Sequence, residues 1–504
     1  MRRMATAAAL MALSGCAPGG GPPIPLNPVR FLSINDVYVT DTMADGQGGL
    51  ARVATVRRRL ADQGPVIFVV AGDLLSPSLL SKYHNGHQMV EALDSARLDY
   101  ATFGNHEFEL PVDTLDARIA ESTFKWLSSN CTLADGTPFP KVLPWDTVHV
   151  SGYKVGLFGL TLQGPYRKQV RCSSPDSAAH VAIDTLVEQG AELIVAVTHK
   201  TIQADRDLLA REPNLDLVLG GHEHEHHDSV VSGRHVLKAD ANSRTAQFVT
   251  LWGGKGKWRQ AVGLVHIDSR LPDDSLVGPV VRAWDDSLRR RLGPERVLAR
   301  TSTPIDARDV VGRSQESVLG DLVTDAMRAG TGADVAMLNA GTLRLDDVIV
   351  PGPITNYQLE SIFLFADETR VITFMLSGAR LREILEHGVA DGSLGKGPFL
   401  QVSGVRFTYD PAAPSGSRIV GELTRPSGAV IHPGDSLKTS FPVYPACERG
   451  DGYDVPEAGA GCASRDSAPR AVDLLSKYLT DSLGGTIVEP AGGRIKRAGN
   501  TNPG

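Results

Sequence analysis

Five short apolar runs in the first half of the chain each end in residues able to hold a metal ion or move a proton. Phe31-Leu32-Ser33-Ile34 leads into Asn35-Asp36, residues 66–71 into Gly72-Asp73, and residues 100–103 into Gly104-Asn105-His106-Glu107. Residues 193–197 lead into Thr198-His199, and residues 215–219 into Gly220-Gly221-His222-Glu223-His224. Asp36 and Asp73 offer carboxylates, Asn105 a neutral oxygen, and His199, His222 and His224 imidazoles. Two hard or borderline cations about 3.5–4 Å apart ask for such a set: a bridging carboxylate, further oxygen and imidazole ligands, and open positions for water and substrate. The neighbouring glycines let backbone approach the metals closely. A single Gly-Asp or Asn-Asp is most often a turn. Five such endings in order, with four His among residues 222–227 of a chain holding 14, are not explained as turns. There is no C-x-x-C spacing and no Ser/Lys nucleophile signature, so metal-activated water is the attacker this set would supply.

For these residues to meet, the runs must be strands whose ends share one rim, the usual ligand location in layered α/β folds. Helical patterns at 49–61, 87–96 and 177–189 alternate with the runs and predict an α/β domain over residues 29–268. Residues 148–160, with Ser151-Gly152-Tyr153-Lys154 near the middle, predict a β-hairpin and so some antiparallel pairing. Residues 269–300, turn-like at first and then charged and helical over 280–292, read as a linker helix. Residues 301–495 predict a second α/β domain, with helices at 317–329 and 379–388 and strands near 335–338, 370–375 and 404–409. The chain from Gly492 is Gly/Asn/Pro-rich and is expected to be disordered, with residues 496–504 as its tail.

Of 504 residues, 42% are hydrophobic and 22% charged, the composition of a soluble globular protein with sizeable cores. The net charge of −7 argues against a nucleic-acid polymer as partner, because phosphate neutralisation supplies most of that affinity. Residues 1–16 hold Arg2-Arg3, a short apolar run and Leu13-Ser14-Gly15-Cys16. The run is too short to span a bilayer, and the whole reads as a secretory leader. Its Leu-Ser-Gly-Cys end resembles the lipobox of bacterial lipoproteins. That resemblance implies cleavage before Cys16, lipidation of Cys16, a Pro/Gly-rich tether over residues 17–28, and a periplasmic or extracytoplasmic lipoprotein anchored to a membrane. In an oxidising compartment the other four cysteines are consistent with two disulfides. Three pairings are open, of which Cys131–Cys172 and Cys447–Cys462 keep both partners within one domain.

The ordered motifs of the first domain resemble the calcineurin-like metallophosphoesterases, specifically the periplasmic 5′-nucleotidase / UDP-sugar hydrolase family. Gly48-Gly49-Leu50-Ala51-Arg52 is similar to that family's first helix start. The second domain extends the likeness through Glu316-x-x-Leu319-Gly320-Asp321-Leu322, Asn339-Ala340-Gly341-Thr342-Leu343-Arg344 and Gly450-Asp451-Gly452-Tyr453. The resemblance implies a four-layer αββα catalytic domain, a C-terminal 5′-nucleotidase substrate-binding domain, and two divalent metal ions (Mn, Zn, Mg or Fe). By position it assigns Asp36 and His224 to the first metal, Asp73 to the bridge, and Asn105, His199 and His222 to the second. His106 matches the catalytic histidine, and Glu109 the carboxylate, usually Asp, that orients it. Arg313, Asn339 and Arg344 match substrate-binding positions, and Phe365 and Tyr453 the two rings that stack a base. His226 and His227 have no counterpart and read as surface residues.

One departure stands at the metals: Tyr38 replaces the His that the family carries two residues after its first Asp. Tyr38 is either a phenolate ligand, favouring trivalent iron, or a neutral phenol that leaves the position to water. The expected function is hydrolysis of nucleoside 5′-monophosphates, with nucleotide sugars and other nucleotides as further substrates, and no protein partner. Two alternatives are a phosphatase for another small phosphoester such as a sugar phosphate, and a non-catalytic nucleotide-binding lipoprotein.

Overall fold

The computed structural model describes residues 27–43, 45–164, 166, 169–254, 256–364 and 369–499. The leader with Cys16, the tether up to residue 26, Phe365 and the tail beyond residue 499 lie outside the described residues. The chain forms two compact units. One runs to Ser76 and resumes over His84–Trp284; the other holds Pro77–Tyr83 and the chain from Asp285 onward.

Strands buried on both faces build the first unit. Val29–Ile34, Ile67–Ala71, Tyr100–Thr102, Lys125–Leu127 and Val142–Leu143 pair in parallel, and Thr245–Trp252 and Arg259–His266 extend that sheet antiparallel beyond the first strand. A second sheet runs in the order His227–Val231, Arg234–Lys238, Leu217–Gly221, Leu193–His199, Tyr153–Thr161, Trp145–Val150. Because successive side chains point to opposite faces, Val29 and Phe31 meet Leu193, Val195 and Val197 between the two sheets. Leu32 and Ile34 pack outward with the buried residues of helices Leu50–Ala61 and His87–Ser95, and Ile194 and Ala196 outward with those of Pro175–Glu188 and Ile202–Arg211. Helices therefore cover both outer faces, giving the αββα layering that the resemblance implies. The hairpin expected at 148–160 forms from Trp145–Val150 and Tyr153–Thr161, with Ser151 (φ 56°) and Gly152 (φ 90°) making its two-residue turn. No helix among the described residues is long and apolar enough to cross a membrane.

Of the three pairings left open, the structure forms the one that keeps both partners within one domain. Cys131–Cys172 joins the paired strands Cys131–Leu133 and Val170–Cys172, and Cys447–Cys462 lies in the second unit. The linker helix starts three residues earlier than expected, at Val277, because Pro279 is tolerated in the first turn, where its missing N–H costs nothing. The division between units falls inside this helix, after Trp284.

In the second unit a four-stranded sheet, Val371–Ser377, Ser436–Pro442, Val335–Asn339, Leu400–Ser403, packs beneath the helix Val318–Thr331, which Ser317 caps by accepting the Gly320 N–H at 3.0 Å. The strand Ile495–Arg497 is held beside Arg406–Tyr409 by Glu316, whose carboxylate accepts the amides of Gly493, Arg494 and Ile495 at 3.1, 2.9 and 3.0 Å. Burial raises the neighbouring Asp321 carboxyl to about 8, against the pull of Arg494 and with the repulsion of Glu316. An acid whose pKa is raised in the fold contributes stability that is complete below its unfolded value and is lost as pH climbs through the folded one. Stability should therefore fall between about pH 4 and pH 8, by up to about 1.4 kcal/mol per pH unit at this group. Asp321→Asn, which mimics the protonated acid, should flatten the melting temperature measured over pH 5–8.

Candidate metal centre

Four expected ligands sit on left-handed backbone: Asp36 (φ 52°), Asp73 (φ 55°), His222 (φ 96°) and His224 (φ 62°). Such conformations cost of order 1–3 kcal/mol each and persist only where the surroundings impose them. The surroundings here are unusually close. A Cβ on Gly104 would lie 2.0 Å from Asp73 Oδ1, and one on Gly72 would lie 2.5 Å from His199 Nδ1.

The buried side chain of Glu107 gathers the two loops that carry Asp73 and Asn105. Its carboxylate accepts the amides of Asp73 (2.9 Å), Leu74 (2.8 Å), Leu75 (2.9 Å) and Gly104 (2.6 Å). Asp73 returns the bond by accepting the His106 amide on Oδ1 at 2.9 Å. Asn35 does the same beneath Asp36, donating to Asp36 Oδ2 at 2.7 Å and exchanging hydrogen bonds with the backbone of Ala239 at 3.0 and 2.7 Å. The His222 amide also reaches Asp36 Oδ2, at 2.9 Å.

These constraints bring Asp36, Asp73 and His199 together, one ligand atom of each lying within 4.8 Å of the others. His199 Nε2 is 3.1 Å from Asp73 Oδ2 and 3.8 Å from Asp36 Oδ1, while its Nδ1 donates to the Ala71 carbonyl at 2.9 Å. That bond fixes the tautomer with Nε2 facing the carboxylates. His224 Nε2 lies 3.4 Å from Asp36 Oδ1, and the His222 ring is 5.3 Å from that of His199. The Oδ1 atoms of Asp36 and Asn105 are buried without a hydrogen-bond partner. Asp36 Oδ1, with imidazole nitrogens of His199 and His224 3.8 and 3.4 Å away, offers the oxygen and nitrogen donors that divalent cations take, so Asp36, Asp73 and His199 fit a metal ion.

The electrostatics agree. Burial would raise the carboxyls of Asp36 and Asp73, but His199 with His224, and His199 with His106, hold them below the usual carboxylate range. Burial would lower His199, yet Asp73 and Asp36 raise it to about 9. Burial, with the charge of His199, pulls His222 down to about 4. Two ionised, buried carboxylates thus demand a positive charge between them, and a proton on His199 meets that demand until a cation does.

His106 Nδ1 is 2.8 Å from Glu109 Oε1 within one turn of 3-10 helix, and its Nε2 is 3.8 Å from Asp73 Oδ2. Glu109 thus lies within ion-pair distance of the His106 ring. Tyr38 Oη donates to Asp73 Oδ2 at 3.0 Å and lies 3.1 Å from His224 Nε2. His226 is exposed, and His227 opens an edge strand.

In the second unit Asn339 ends a buried strand and donates to Asp451 Oδ2 at 2.7 Å. Burial raises the Asp451 carboxyl, opposed by the Asn339 bond and the charges of Arg344, Arg313 and His387. Arg313 also pairs with Asp309. Tyr453 is 1% exposed, edge-on to His387 and Phe441, with its hydroxyl donating to the Pro398 carbonyl at 2.5 Å. Its ring is packed rather than presented. Sequence reasoning assigned no role to Glu107 or Asp451, although both stand inside motifs that it quoted.

Residues 29–226 match the family model of the calcineurin-like phosphoesterases, and residues 297–455 that of the 5′-nucleotidase C-terminal domain. A snake venom 5′-nucleotidase of Naja atra is 25% identical over 87% of this chain and 91% of its own. The mouse 5′-nucleotidase is 24% identical over 89% and 85%. A 5′-nucleotidase precursor from Thermus thermophilus superposes with a TM-score of 0.78 at 22% identity, over 94% of this chain and 100% of that one.

Replacing Glu107 with Gln sets an NH₂ against amide donors and removes the charge that binds four of them. We expect a loss of about 2–4 kcal/mol of stability, since buried polar groups left unpaired cost about 1–3 kcal/mol each. Metal retention should fall with it. A thermal melt together with metal analysis of the purified variant checks both.

Proposed function

The chain belongs to the calcineurin-like metallophosphoesterases of the 5′-nucleotidase family, which are phosphoric ester hydrolases, and on that premise we propose that it releases phosphate from nucleoside 5′-monophosphates outside the cytoplasm. The observation that carries this reading is the convergence of Asp36, Asp73 and His199 beside a histidine already oriented by a carboxylate. Asp36, Asp73, Asn105, His199, His222 and His224 would hold two divalent ions, which when bound polarise the phosphoryl group and supply a nucleophile at neutral pH. Glu109 orients His106 through Nδ1, leaving Nε2 to bind a phosphoryl oxygen or give a proton to the departing ribose oxygen. Arg313 and Arg344 suit phosphate by their guanidinium geometry, and Asn339 the sugar hydroxyls. Phe365 and Tyr453 are the proposed base-stacking rings, and Cys16 the proposed lipid anchor of an extracytoplasmic protein.

The packing of Tyr453 favours a second reading on one point. A base can use that ring only after it is uncovered, so a baseless phosphoester such as a sugar phosphate remains a competing substrate.

Purified protein stripped of metal, then refilled with Mn²⁺, Zn²⁺, Mg²⁺ or iron, should release phosphate from AMP faster than from sugar phosphates, and Asp73→Asn should abolish the release. Turnover of sugar phosphates alone would sink the nucleotidase reading. Tyr38, a neutral hydrogen-bond donor to Asp73 on this account, gives the first metal one protein ligand fewer than a His would. Tyr38→His should tighten Mn²⁺ binding by about tenfold or more, measured by calorimetry; unchanged affinity would mean that the phenol already serves as a ligand.

A further inference from the structure

The ammonium of Lys238 is 1% exposed and has four partners. It donates to the carbonyls of Lys200 (2.6 Å) and Gly221 (2.7 Å) and to Glu223 Oε2 (2.5 Å), and it lies 3.1 Å from Asp205 Oδ2. Lys200 follows His199 directly, Gly221 precedes His222, and Glu223 stands between His222 and His224. Glu223 uses its other oxygen to accept the Ile202 amide, at the start of the helix that carries Asp205.

The strand register explains how one cation reaches all of them. His199 pairs with Gly221 across the neighbouring strands, and Gly220 pairs with Lys238 across the next. The side chain of Lys238 thus lies beneath the ends of both strands that deliver imidazoles to the site. A Cβ on Gly220 would meet the Lys238 side chain at 2.8 Å, so the stem has room only because that residue is glycine.

We propose that Lys238 is a positioning residue that sets the spacing of His199, His222 and His224, and so tunes how tightly the centre binds metal. This rests on the metal-centre reading above. Neither the order of ligand motifs nor the oriented His106 requires a lysine there. Burying an ammonium costs several kcal/mol unless its geometry and partners are excellent, and the same fold could be held by an apolar side chain. Partners of metal-ligating residues typically change metal affinity by 10- to 100-fold when removed.

The test is Mn²⁺ titration by calorimetry of the wild-type protein, Lys238→Met and the double variant Lys238→Met/Asp205→Asn, beside thermal melts of each in the metal-free state. The double variant removes the ammonium together with the fully buried carboxylate of Asp205, and leaves Glu223, whose side chain is 20% exposed, held by the Ile202 amide. We expect it to melt within a few degrees of the wild type without metal, yet to bind Mn²⁺ 10- to 100-fold more weakly. Wild-type affinity in the double variant would overturn the role of Lys238 and leave the metal centre standing. A drop in affinity matched by an equally large drop in metal-free melting temperature would also overturn it, reducing Lys238 to general support. Absence of Mn²⁺ binding by the wild type would overturn the metal-centre reading and this one with it.

Discussion

One buried carboxylate holds the first unit's chemistry in place. Glu107 collects four backbone amides from two loops, the one after Ile67–Ala71 and the one after Tyr100–Thr102. Those amides would otherwise be stranded in the interior, where an unpaired N–H is costly. By binding them, Glu107 fixes the direction in which Asp73 leaves its strand and the place where Asn105 and His106 begin their turn. Burial and the nearby Asp73 charge raise its own carboxyl, and the donated amides oppose them. The direction of the Asp73 side chain, toward Asp36 and His199, is thus set by backbone.

The catalytic half of the molecule was more legible in the sequence than the substrate half, for a physical reason. Metal-competent side chains are of few types, and strands buried on both faces read as continuous apolar runs, so Asp36, Asp73, His199 and the runs before them announce themselves. The hairpin at Ser151-Gly152 was legible from its turn residues, whereas the cystine pairing stayed open among three until the fold brought the partners together. Glu107 was not, because a side chain that binds amides leaves no pattern of partner residues to find. Lys238 was hidden because its role depends on register between strands far apart in sequence. Tyr453 stands in a motif that suggests an open aromatic face, whereas the structure buries it beside Phe441; only packing around the ring decides that.

Charge distribution gives the centre its appetite for cations. Asp36 and Asp73 are buried, and the neighbouring imidazoles of His199, His224 and His106 hold their carboxyls below the usual range. Lys238 does not relieve that negative charge, because Glu223 and Asp205 absorb it one layer behind. The site therefore combines a negative front with a charge-paired support behind it.

The left-handed residues at Asp36, Asp73, His222 and His224 carry an evolutionary consequence. At each of them glycine would relax the backbone while discarding a ligand, so drift under selection for foldedness alone runs toward loss of the centre. A lineage that no longer needed the chemistry would be expected to shed these residues early and keep its layered scaffold. In this chain the fold holds all four side chains in place against the conformational preference of their own backbone.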